Sequence, residues 1–184
     1  MDLEEKVLGV EPKYDGAIIN VEKQTVELPN GETSTRDVVH HSNAVGILVL
    51  TKNNKMLLET QWRAPVAKET IEIPAGKVDN RDHGTALDTV VRELNEETRY
   101  KANNIKRITG FYSSVGFCDE YMDLYLATDL EPVEDELPRD QGEYLKIKEY
   151  SLDEAMSMIE SGEIEDAKTI TAIYYWKLHD KIGL

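Results

Sequence analysis

The stretch that decides this fold reads Gly76-Lys77-Val78-Asp79 and, after twelve more residues, Arg92-Glu93-Leu94-Asn95-Glu96-Glu97-Thr98. In a helix, Glu93 and Glu97 lie one turn apart with Glu96 beside them, so three carboxylates share one face. Like charges at this spacing oppose a helix by roughly a few tenths of a kcal/mol each unless a cation compensates. Mg²⁺ or Mn²⁺ suits that role, because these hard ions prefer carboxylate oxygens and pair with phosphates. The stretch therefore predicts a helix that carries a divalent-metal site.

Apolar residues set the orientation of this helix, which we expect to run from Ala86 to Thr98. They recur at helical spacing on a different sector from the glutamates, and they are Leu87, Val90, Val91 and Leu94. We therefore expect the carboxylates to lie off the core. Arg92, four residues before Glu96, is placed to hold that carboxylate in one rotamer. The alternative is a solvated acidic face without a ligand, which is common on helix surfaces.

The flanks of the helix carry a family resemblance. The chain resembles the Nudix hydrolases in their signature, the Nudix box, through Glu72-Ile73-Pro74-Ala75-Gly76 and the later Arg92-Glu93-Leu94-Asn95-Glu96-Glu97-Thr98. It is similar to the ADP-ribose pyrophosphatase subfamily in Gln61-Trp62-Arg63 before the box and Ser114-Val115-Gly116-Phe117-Cys118-Asp119-Glu120 after it. This resemblance extends from Asp15 or so to the C-terminus, and so covers nearly the whole chain.

The resemblance implies an α/β fold, namely the Nudix α/β/α sandwich around a mixed β-sheet. Residues 41–184 would form this Nudix hydrolase domain, and residues 1–40 a short β-rich segment in front of it. Within that segment, Ala17–Val21 and Thr25–Leu28 have the pattern of two short strands. In the resembling family such a segment helps to build a dimer, so a homodimer is implied for this chain.

The resemblance also implies the metal ligands. Glu93 and Glu97 are the expected primary ligands, the Ala75 carbonyl is another, and Glu96 is an additional or bridging ligand. The implied cofactor is Mg²⁺, with Mn²⁺ as a possible substitute. Gly76 lets the backbone approach the metal closely because it has no Cβ. An ordinary turn glycine is the alternative interpretation.

The general base is expected on a loop. Glu120 matches a loop glutamate of the ADP-ribose pyrophosphatases, and a loop carboxylate near metal can accept a proton from water. The alternative is a solvated acidic loop, since Asp119 adjoins it. Glu143 is the second candidate, as base or metal ligand, and lies at the end of the acidic run Asp129–Glu143, which is otherwise typical of an exposed loop. The predicted catalytic set is Glu120, Glu96 and Arg92.

Three residues are predicted to bind substrate. Arg63 would grip a phosphate, because the guanidinium fork suits two oxygens at once; a surface ion pair is the alternative. Glu72 is implied by the resemblance to contact the nucleoside part, across a dimer interface in one arrangement. Trp62 is expected to stack on a base or to be buried in the core.

The chain departs from the usual box, which is Gly, five residues, Glu, seven residues, then Arg-Glu. Asp82 stands at the acidic position, and nine residues separate it from Arg92, which indicates a two-residue insertion in the loop Asn80–Thr85. Arg99 replaces the glycine that normally follows Glu-Glu-Thr, where a left-handed helix cap is expected at some cost. Val115 stands where family members specific for ADP-ribose commonly carry proline.

The composition narrows the class of protein. With 184 residues, two Trp, nine Tyr and two Phe, the chain can bury a core. A net charge of −15 disfavours a nucleic-acid duplex as partner, since such binding relies on Lys and Arg. The single cysteine excludes an internal disulfide framework, and neither a signal peptide nor a bilayer-spanning apolar run is visible. We therefore expect a cytoplasmic protein with no membrane partner.

The function implied by the resemblance is Mg²⁺-dependent hydrolysis of the pyrophosphate bond of a nucleoside diphosphate sugar. ADP-ribose, cleaved to AMP and ribose 5-phosphate, is the first choice of substrate. Val115 keeps open another dinucleoside or sugar-linked diphosphate. A non-catalytic nucleotide-sensing module that kept the fold is an alternative that Asp82 and Arg99 favour and the intact glutamates disfavour. An acidic metal-buffering or scaffold protein is a third hypothesis.

Overall fold

The computed structural model describes residues 3–82 and 85–179, so His83 and Gly84 in the predicted insertion and the last five residues of the predicted Nudix domain lie outside the described residues. The chain forms two compact units. The first comprises Met1–Asn43 with Phe111–Met122, and the second Ala44–Gly110 with Asp123–Leu184. The division into domains at residues 40 and 41 stays a prediction, since compactness alone does not test it.

The first unit is built on a three-stranded antiparallel sheet of β1 (Lys6–Asp15), β2 (Ile19–Glu27) and β3 (Thr33–His41), in that order. The prediction of two short strands between residues 17 and 28 was wrong, because β2 is one strand. Its polar middle is held extended by unbroken pairing with β3, from Ile19 opposite His41 to Glu27 opposite Thr33. The strand β1 was not predicted, and all ten of its residues are exposed.

The second unit contains two sheets. Its strands are β4 (Ala44–Val49), β5 (Met56–Arg63), β6 (Lys68–Glu72), β7 (Ala75–Lys77), β8 (Tyr100–Tyr112), β9 (Tyr121–Pro132) and β10 (Lys146–Tyr150), of which β8 and β9 continue into the first unit. One sheet has the order β10-β5-β6 and the other β7-β4-β9-β8. The strand β10 was not predicted, because its Lys-Ile-Lys-Glu-Tyr sequence is short and charged. Backbone pairing with β5 holds it extended.

Three α-helices complete the second unit: α1 (Ala86–Glu93), α2 (Leu152–Ser161) and α3 (Ala167–His179). A π-helical turn, Leu94–Thr98, continues α1, so the predicted end of this helix at Thr98 is confirmed although its winding changes. Thr85 caps α1 by accepting a hydrogen bond from the Asp88 amide at 3.1 Å. Helix α1 packs on β4 and β7, α3 also packs on β4, and α2 packs on α3. No helix in the described ranges is both long enough and apolar enough to cross a membrane.

The core of the second unit lies between α1 and strands β4, β5 and β9. Its buried cluster consists of Val45, Ile47, Val49, Leu57, Val90, Leu94, Tyr125 and Ala127. The predicted apolar face of the helix is therefore half right. Val90 and Leu94 are fully buried, whereas Leu87 and Val91 are 49% and 52% exposed. The buried sector is rotated from the predicted one, because the helix turns its glutamate side toward β7.

The capping box at the start of α2 yields a stability prediction. The Ser151 hydroxyl accepts a hydrogen bond from the Glu154 amide, and the Glu154 carboxylate accepts one from the Ser151 amide at 2.7 Å. We expect Ser151→Ala to lower the free energy of unfolding by about 1 kcal/mol, measured by urea denaturation. Ser157→Ala is the control: Ser157 is exposed within the same helix, where alanine is at least as favourable. Equal losses in both variants would contradict the capping role.

Candidate active site

The three box glutamates are buried, which corrects the expectation that they lie off the core. Glu93, Glu96 and Glu97 are only 7%, 6% and 2% exposed. Glu93 ends α1, and the other two lie on the π-helical turn, whose wider winding changes the direction of the side chains that follow. Carboxylates removed from water cost free energy unless charges or hydrogen-bond donors compensate them. The compensating groups therefore define this site.

Arg92 is one of these compensating groups. Its Nη1 donates to Glu96 Oε2 at 2.8 Å, the contact that the spacing of four residues predicts. The same nitrogen donates to Glu93 Oε1 at 2.7 Å, and Nη2 reaches the Lys77 carbonyl at 3.4 Å. Only a tenth of the Arg92 side chain is exposed. One arginine thus restrains two of the three carboxylates and ties α1 to β7.

The short strand β7 supplies the other contacts. The Ala75 amide donates to Glu97 Oε2 at 3.1 Å. Gly76 faces Glu93 so closely that a Cβ at this position would overlap the Glu93 carboxylate. Pairing with β4, in which Val45 lies opposite Gly76, holds β7 in place. Glycine is therefore required at residue 76 because a side chain would displace Glu93.

The carboxylates raise one another's pKa. Burial is the main cause that raises the pKa of Glu93 to about 7; the Arg92 charge opposes this, and the charges of Glu96 and Glu143 add to it. Burial also raises the pKa of Glu97 well above its ordinary value, and the charges of Glu59, Glu93 and Glu143 contribute. The site therefore holds more negative charge than its arginine neutralises. This imbalance favours the binding of a proton or a cation.

The acidic segment that follows β9 is docked on the π-helical turn, although its composition is typical of a free loop. Asn95 donates to the Asp135 carbonyl at 2.9 Å and accepts from the Leu137 amide at 2.8 Å. Arg139 donates to the backbone carbonyls of Glu96 and Glu97, both at 3.2 Å. The loop is thus attached to the backbone of the residues that carry the carboxylates.

Arg99 takes part in this docking. It adopts the left-handed conformation expected for the missing glycine, with φ 64° and ψ 23°. An L-residue pays for this conformation with roughly 1–2 kcal/mol of strain. Its guanidinium donates to the Leu137 carbonyl at 2.5 Å and lies 3.3 Å from the Glu136 carboxylate. These contacts, which a glycine lacks, offset part of that strain.

Glu143 is brought into the carboxylate group by the docked loop. It is half-buried, and its charge contributes to the raised pKa of both Glu93 and Glu97. Burial and the neighbouring charge of Asp140 raise the pKa of Glu143 in turn. The second candidate for the base therefore lies within electrostatic reach of the predicted metal ligands.

Glu120 lies in the first unit, on the loop between β8 and β9. Its carboxylate lies 3.2 Å from His41 Nδ1, and its carbonyl accepts a hydrogen bond from the Ser113 amide at 3.1 Å. The neighbouring Asp119 contacts His40 Nδ1 at 2.6 Å and accepts from the His41 amide at 2.9 Å. The loop is thus fixed to the end of β3. Catalysis by Glu120 stays a prediction.

Arg63 and Glu72 are paired with each other. Arg63 donates through Nε and Nη2 to the two oxygens of Glu72, both at 2.7 Å, so the ion pair foreseen as the alternative is present. Glu72 is 2% exposed and also contacts Lys168, itself largely buried at the start of α3, and Thr70. Trp62 is 63% exposed, which excludes burial in the core of this unit and leaves stacking open. Whether these residues bind substrate stays a prediction.

A cavity of about 470 Å³ lies beside this pair. It is lined by Arg63, Pro65, Val66, Lys68, Thr70, Glu72, Glu165, Asp166, Ala167 and Lys168. The lining combines arginine and lysine side chains, which suit phosphate oxygens, with the carboxylates paired to them, which suit hydroxyl groups. The lining is therefore compatible with a sugar phosphate.

Comparisons with known proteins decide the family. The model of the NUDIX domain matches residues 40–173 of this chain. The chain belongs to the Nudix family. It is 38% identical to an ADP-ribose pyrophosphatase of Bacillus subtilis over 98% of this chain and 96% of that protein. It is 36% identical to a methanol dehydrogenase activator of Bacillus methanolicus, over 97% of this chain and 96% of that protein.

The Nudix fold is also found among solved structures. A crystal structure described as an ADP compounds hydrolase matches with a TM-score of 0.85, covering 100% of this chain and 98% of that one. Its sequence is only 19% identical, so this likeness concerns the fold alone. The predicted α/β Nudix fold and the resemblance to ADP-ribose pyrophosphatases are confirmed.

The Nudix box in this chain fits a divalent cation by its donor chemistry. Glu93, Glu96 and Glu97 are oxygen donors, are buried with an excess of negative charge, and lie beside a backbone that only glycine allows so close. Within the described ranges, no group of three His, Cys, Asp or Glu side chains is already arranged to hold a metal ion. The carboxylates instead turn toward Arg92 and the Ala75 amide.

Three polar residues of this Nudix site were not found from the sequence. Arg139 and Lys168 lie in segments with no motif, and their contacts join residues more than forty positions apart. Glu59 is 1% exposed on β5. Burial and the charge of Glu72 raise the pKa of Glu59 to about 8. The only available signal was the alternation Glu59, Gln61, Arg63, which puts these polar side chains on one face of a strand.

The Glu72 ion pair makes the stability of this Nudix chain depend on pH. Burial would raise the pKa of Glu72, but hydrogen bonds from Arg63 and the charge of Lys168 hold it at about 2. This contribution to stability is full above the ordinary pKa near 4.5 and is lost as the pH falls toward 2. The ion pair contributes at most about 3 kcal/mol to stability by this route.

We therefore expect Glu72→Gln to be less stable than wild type near neutral pH, because Arg63 loses its carboxylate and Lys168 keeps only Asp166. The difference should shrink on acidification from about pH 6 to about pH 3. Urea unfolding at a series of pH values measures it. Glu149→Gln, at an exposed position on β10, is the control and should follow wild type throughout. A difference that stays constant with pH would contradict the assignment.

Proposed function

We propose that this chain is a Nudix pyrophosphatase that hydrolyses the pyrophosphate bond of a nucleoside diphosphate sugar with the help of Mg²⁺. ADP-ribose, giving AMP and ribose 5-phosphate, is the substrate of first choice. The observation that carries the proposal is the buried group of Glu93, Glu96 and Glu97 against β7, with its excess of negative charge. The full-length similarity to the Bacillus subtilis ADP-ribose pyrophosphatase supports the choice of substrate.

The proposed ligand set is the one that the Nudix box implies. Glu93 and Glu97 would hold the cation together with the Ala75 carbonyl, and Glu96 would be an additional or bridging ligand. When bound, Mg²⁺, or Mn²⁺ in its place, neutralises the pyrophosphate and polarises the attacked phosphoryl group. Arg92 keeps Glu93 and Glu96 in position through its two hydrogen bonds. The cation also supplies the positive charge that an acidic protein needs in order to bind an anionic nucleotide.

The reaction itself is a displacement at phosphorus. The oxygen of a water molecule forms a bond to one phosphorus, and the bond from that phosphorus to the bridging oxygen breaks. The water proton passes to a carboxylate, and the bridging oxygen leaves with the other phosphate. What this chain must supply is therefore a base close to the attacked phosphorus.

For the base we place Glu143 ahead of Glu120. Glu143 belongs to the same compact unit as the box glutamates, and its charge acts on Glu93 and Glu97. Its raised pKa brings it closer to the operating pH, which favours a proton acceptor. Glu120, the base expected from the sequence, remains the alternative.

For the rest of the substrate we propose the cavity beside Arg63 and Glu72, with Trp62 exposed for stacking on a base. Other dinucleoside or sugar-linked diphosphates are the second candidates. One observation favours them: Val115, 79% exposed, stands at the position of the usual proline. A nucleotide-sensing role without catalysis is the remaining alternative.

We further propose a cytoplasmic homodimer assembled through the N-terminal sheet. What supports the dimer is the exposed strand β1, on which Val7, Leu8 and Val10 are each about half exposed to solvent. Apolar side chains left exposed on an edge strand are typical of an interface. The single cysteine fits a reducing compartment.

The activity is tested by supplying Mg²⁺ with a panel of substrates: ADP-ribose, other nucleoside diphosphate sugars and NAD⁺. We expect AMP and ribose 5-phosphate from ADP-ribose, identified by mass. Glu97→Gln should lower kcat by a factor on the order of 10² or more, because it removes a charged metal ligand. Glu163→Gln, on an exposed residue after α2, is the matched control and should keep full activity. Binding of ADP-ribose without any product would favour the sensor, and normal turnover by Glu97→Gln would exclude the metal assignment.

The base is tested by comparing Glu143→Gln and Glu120→Gln. We expect Glu143→Gln to lower kcat by a factor on the order of 10² to 10⁴ and to remove the acidic limb of the pH–rate profile, because the carboxylate accepts the proton. Glu120→Gln should leave that limb in place. If the limb instead disappears only in Glu120→Gln, the base is the one expected from the sequence.

A further inference from the structure

Glu59 is a buried carboxyl that the proposed mechanism does not use. It lies on β5 after the buried run Met56-Leu57-Leu58 and is itself only 1% exposed. Its Oε1 accepts a hydrogen bond from Gln61 Nε2 at 2.7 Å. Its Oε2 is fully buried and has no hydrogen-bond partner in the part of the chain that the structure describes. A buried carboxylate oxygen without a hydrogen-bond partner lowers the stability of the fold, so we expect a ligand to bind it.

The neighbouring strands do not meet this need. Glu59 lies directly opposite Glu72 on β6 and Ile147 on β10. Glu72 brings a second negative charge, and its oxygens already take the hydrogen bonds of Arg63, Thr70 and Lys168. The cations nearest to Glu59 are thus engaged by another carboxylate. The partner of Oε2 must come from a different direction.

That direction is the Nudix box. The charge of Glu59 is the largest neighbouring charge that acts on Glu97, and Glu143 acts on Glu59 and Glu97 alike. Leu57, two residues before Glu59 and therefore on the same face of β5, belongs to the same buried cluster as Val90 and Leu94 of the box helix. Glu59 therefore lies on the face of β5 that is turned toward this helix and its carboxylates. The group then contains a fourth glutamate that is more than nine-tenths buried, besides Glu93, Glu96 and Glu97. Among the described residues, only Arg92 is hydrogen-bonded to two of them.

We propose that Glu59 is an additional ligand of the divalent cation held by Glu93, Glu96 and Glu97, binding it through the unpartnered Oε2. The inference rests on the proposed function. A hard cation satisfies this oxygen and at the same time removes the repulsion between Glu59 and its neighbours. A proton alone would be less effective, because it would turn Oε2 into a donor that again needs a partner. Gln61 fixes Oε1, which leaves Oε2 to bind.

The test is the binding of Mn²⁺ in the absence of substrate, followed by the electron paramagnetic resonance signal of the free ion. We compare wild type with Glu59→Gln, Glu59→Val and Glu97→Gln. Both Glu59 variants should bind Mn²⁺ at least about tenfold more weakly, or bind one ion fewer, because a charged oxygen donor is lost. Glu149→Gln, at an exposed position of β10 two residues beyond Ile147, should bind as wild type does.

A second measurement guards against a folding defect. The valine variant places an apolar side chain in a buried strand and leaves no unpaired polar atom, so we expect it to fold and to melt no lower than wild type. Saturating Mn²⁺ should raise the Tm of wild type by more than that of Glu59→Val, because a ligand stabilises the state that binds it. This comparison requires no catalytic activity.

The outcomes separate the inference from the proposed function. Wild-type Mn²⁺ affinity, stoichiometry and Tm shift in both Glu59 variants, with a loss in Glu97→Gln, would overturn the role of Glu59 alone. Glu59 would then carry only a proton. Undiminished Mn²⁺ binding in Glu97→Gln would instead overturn the proposed metal site. Weakened binding in the Glu59 variants, with Glu149→Gln unchanged, supports the inference.

Discussion

The structure depends on one constraint, namely that several carboxylates must be kept out of water with less positive charge than they require. Glu93, Glu96 and Glu97 are buried on a helix end, and Arg92 with the Ala75 amide supplies only part of their compensation. Nearly every local feature follows from this requirement. Residue 76 has no side chain because Glu93 occupies that space, and the helix widens into a π turn where its glutamates face the strand. The remaining deficit of positive charge is the reason why we propose a cation at this site.

A second carboxylate centre, around Glu72, has enough positive charge around it. Here Arg63 and Lys168 supply a full complement of charge, and the pKa of Glu72 is held at about 2. Glu59 lies directly opposite Glu72 on the paired strands β5 and β6. The charge of Glu72 is thus compensated by side chains of the protein itself. The charge of the box glutamates is compensated only in part. The chain forms both kinds of centre because its few buried cations are distributed unevenly between them.

Residues close together in sequence were predicted well, and residues joined only by the fold were not. The helix Ala86–Thr98, the contact of Arg92 with Glu96 and the left-handed Arg99 all follow from spacing within one helix. The burial of the glutamates was missed because hydropathy assigns charged residues to the surface. The docked loop of Glu143 was missed for another reason: its composition favours solvent, whereas Asn95, Arg99 and Arg139 bind it through backbone atoms. The exposed β1 was missed because its pattern shows no buried face.

The attachment of the acidic loop also bears on how such a protein changes in evolution. Apart from the ion pair between Glu136 and Arg99, its contacts with the π-helical turn use backbone atoms of Asp135 and Leu137 and the carbonyls of Glu96 and Glu97, rather than the loop's own carboxylates. Acidic side chains such as Glu134 can therefore be exchanged without detaching the loop. Net charge can thus change at such positions while the backbone contacts that hold the loop are kept. The charge of this short segment and its attachment to the active site can therefore change independently in evolution.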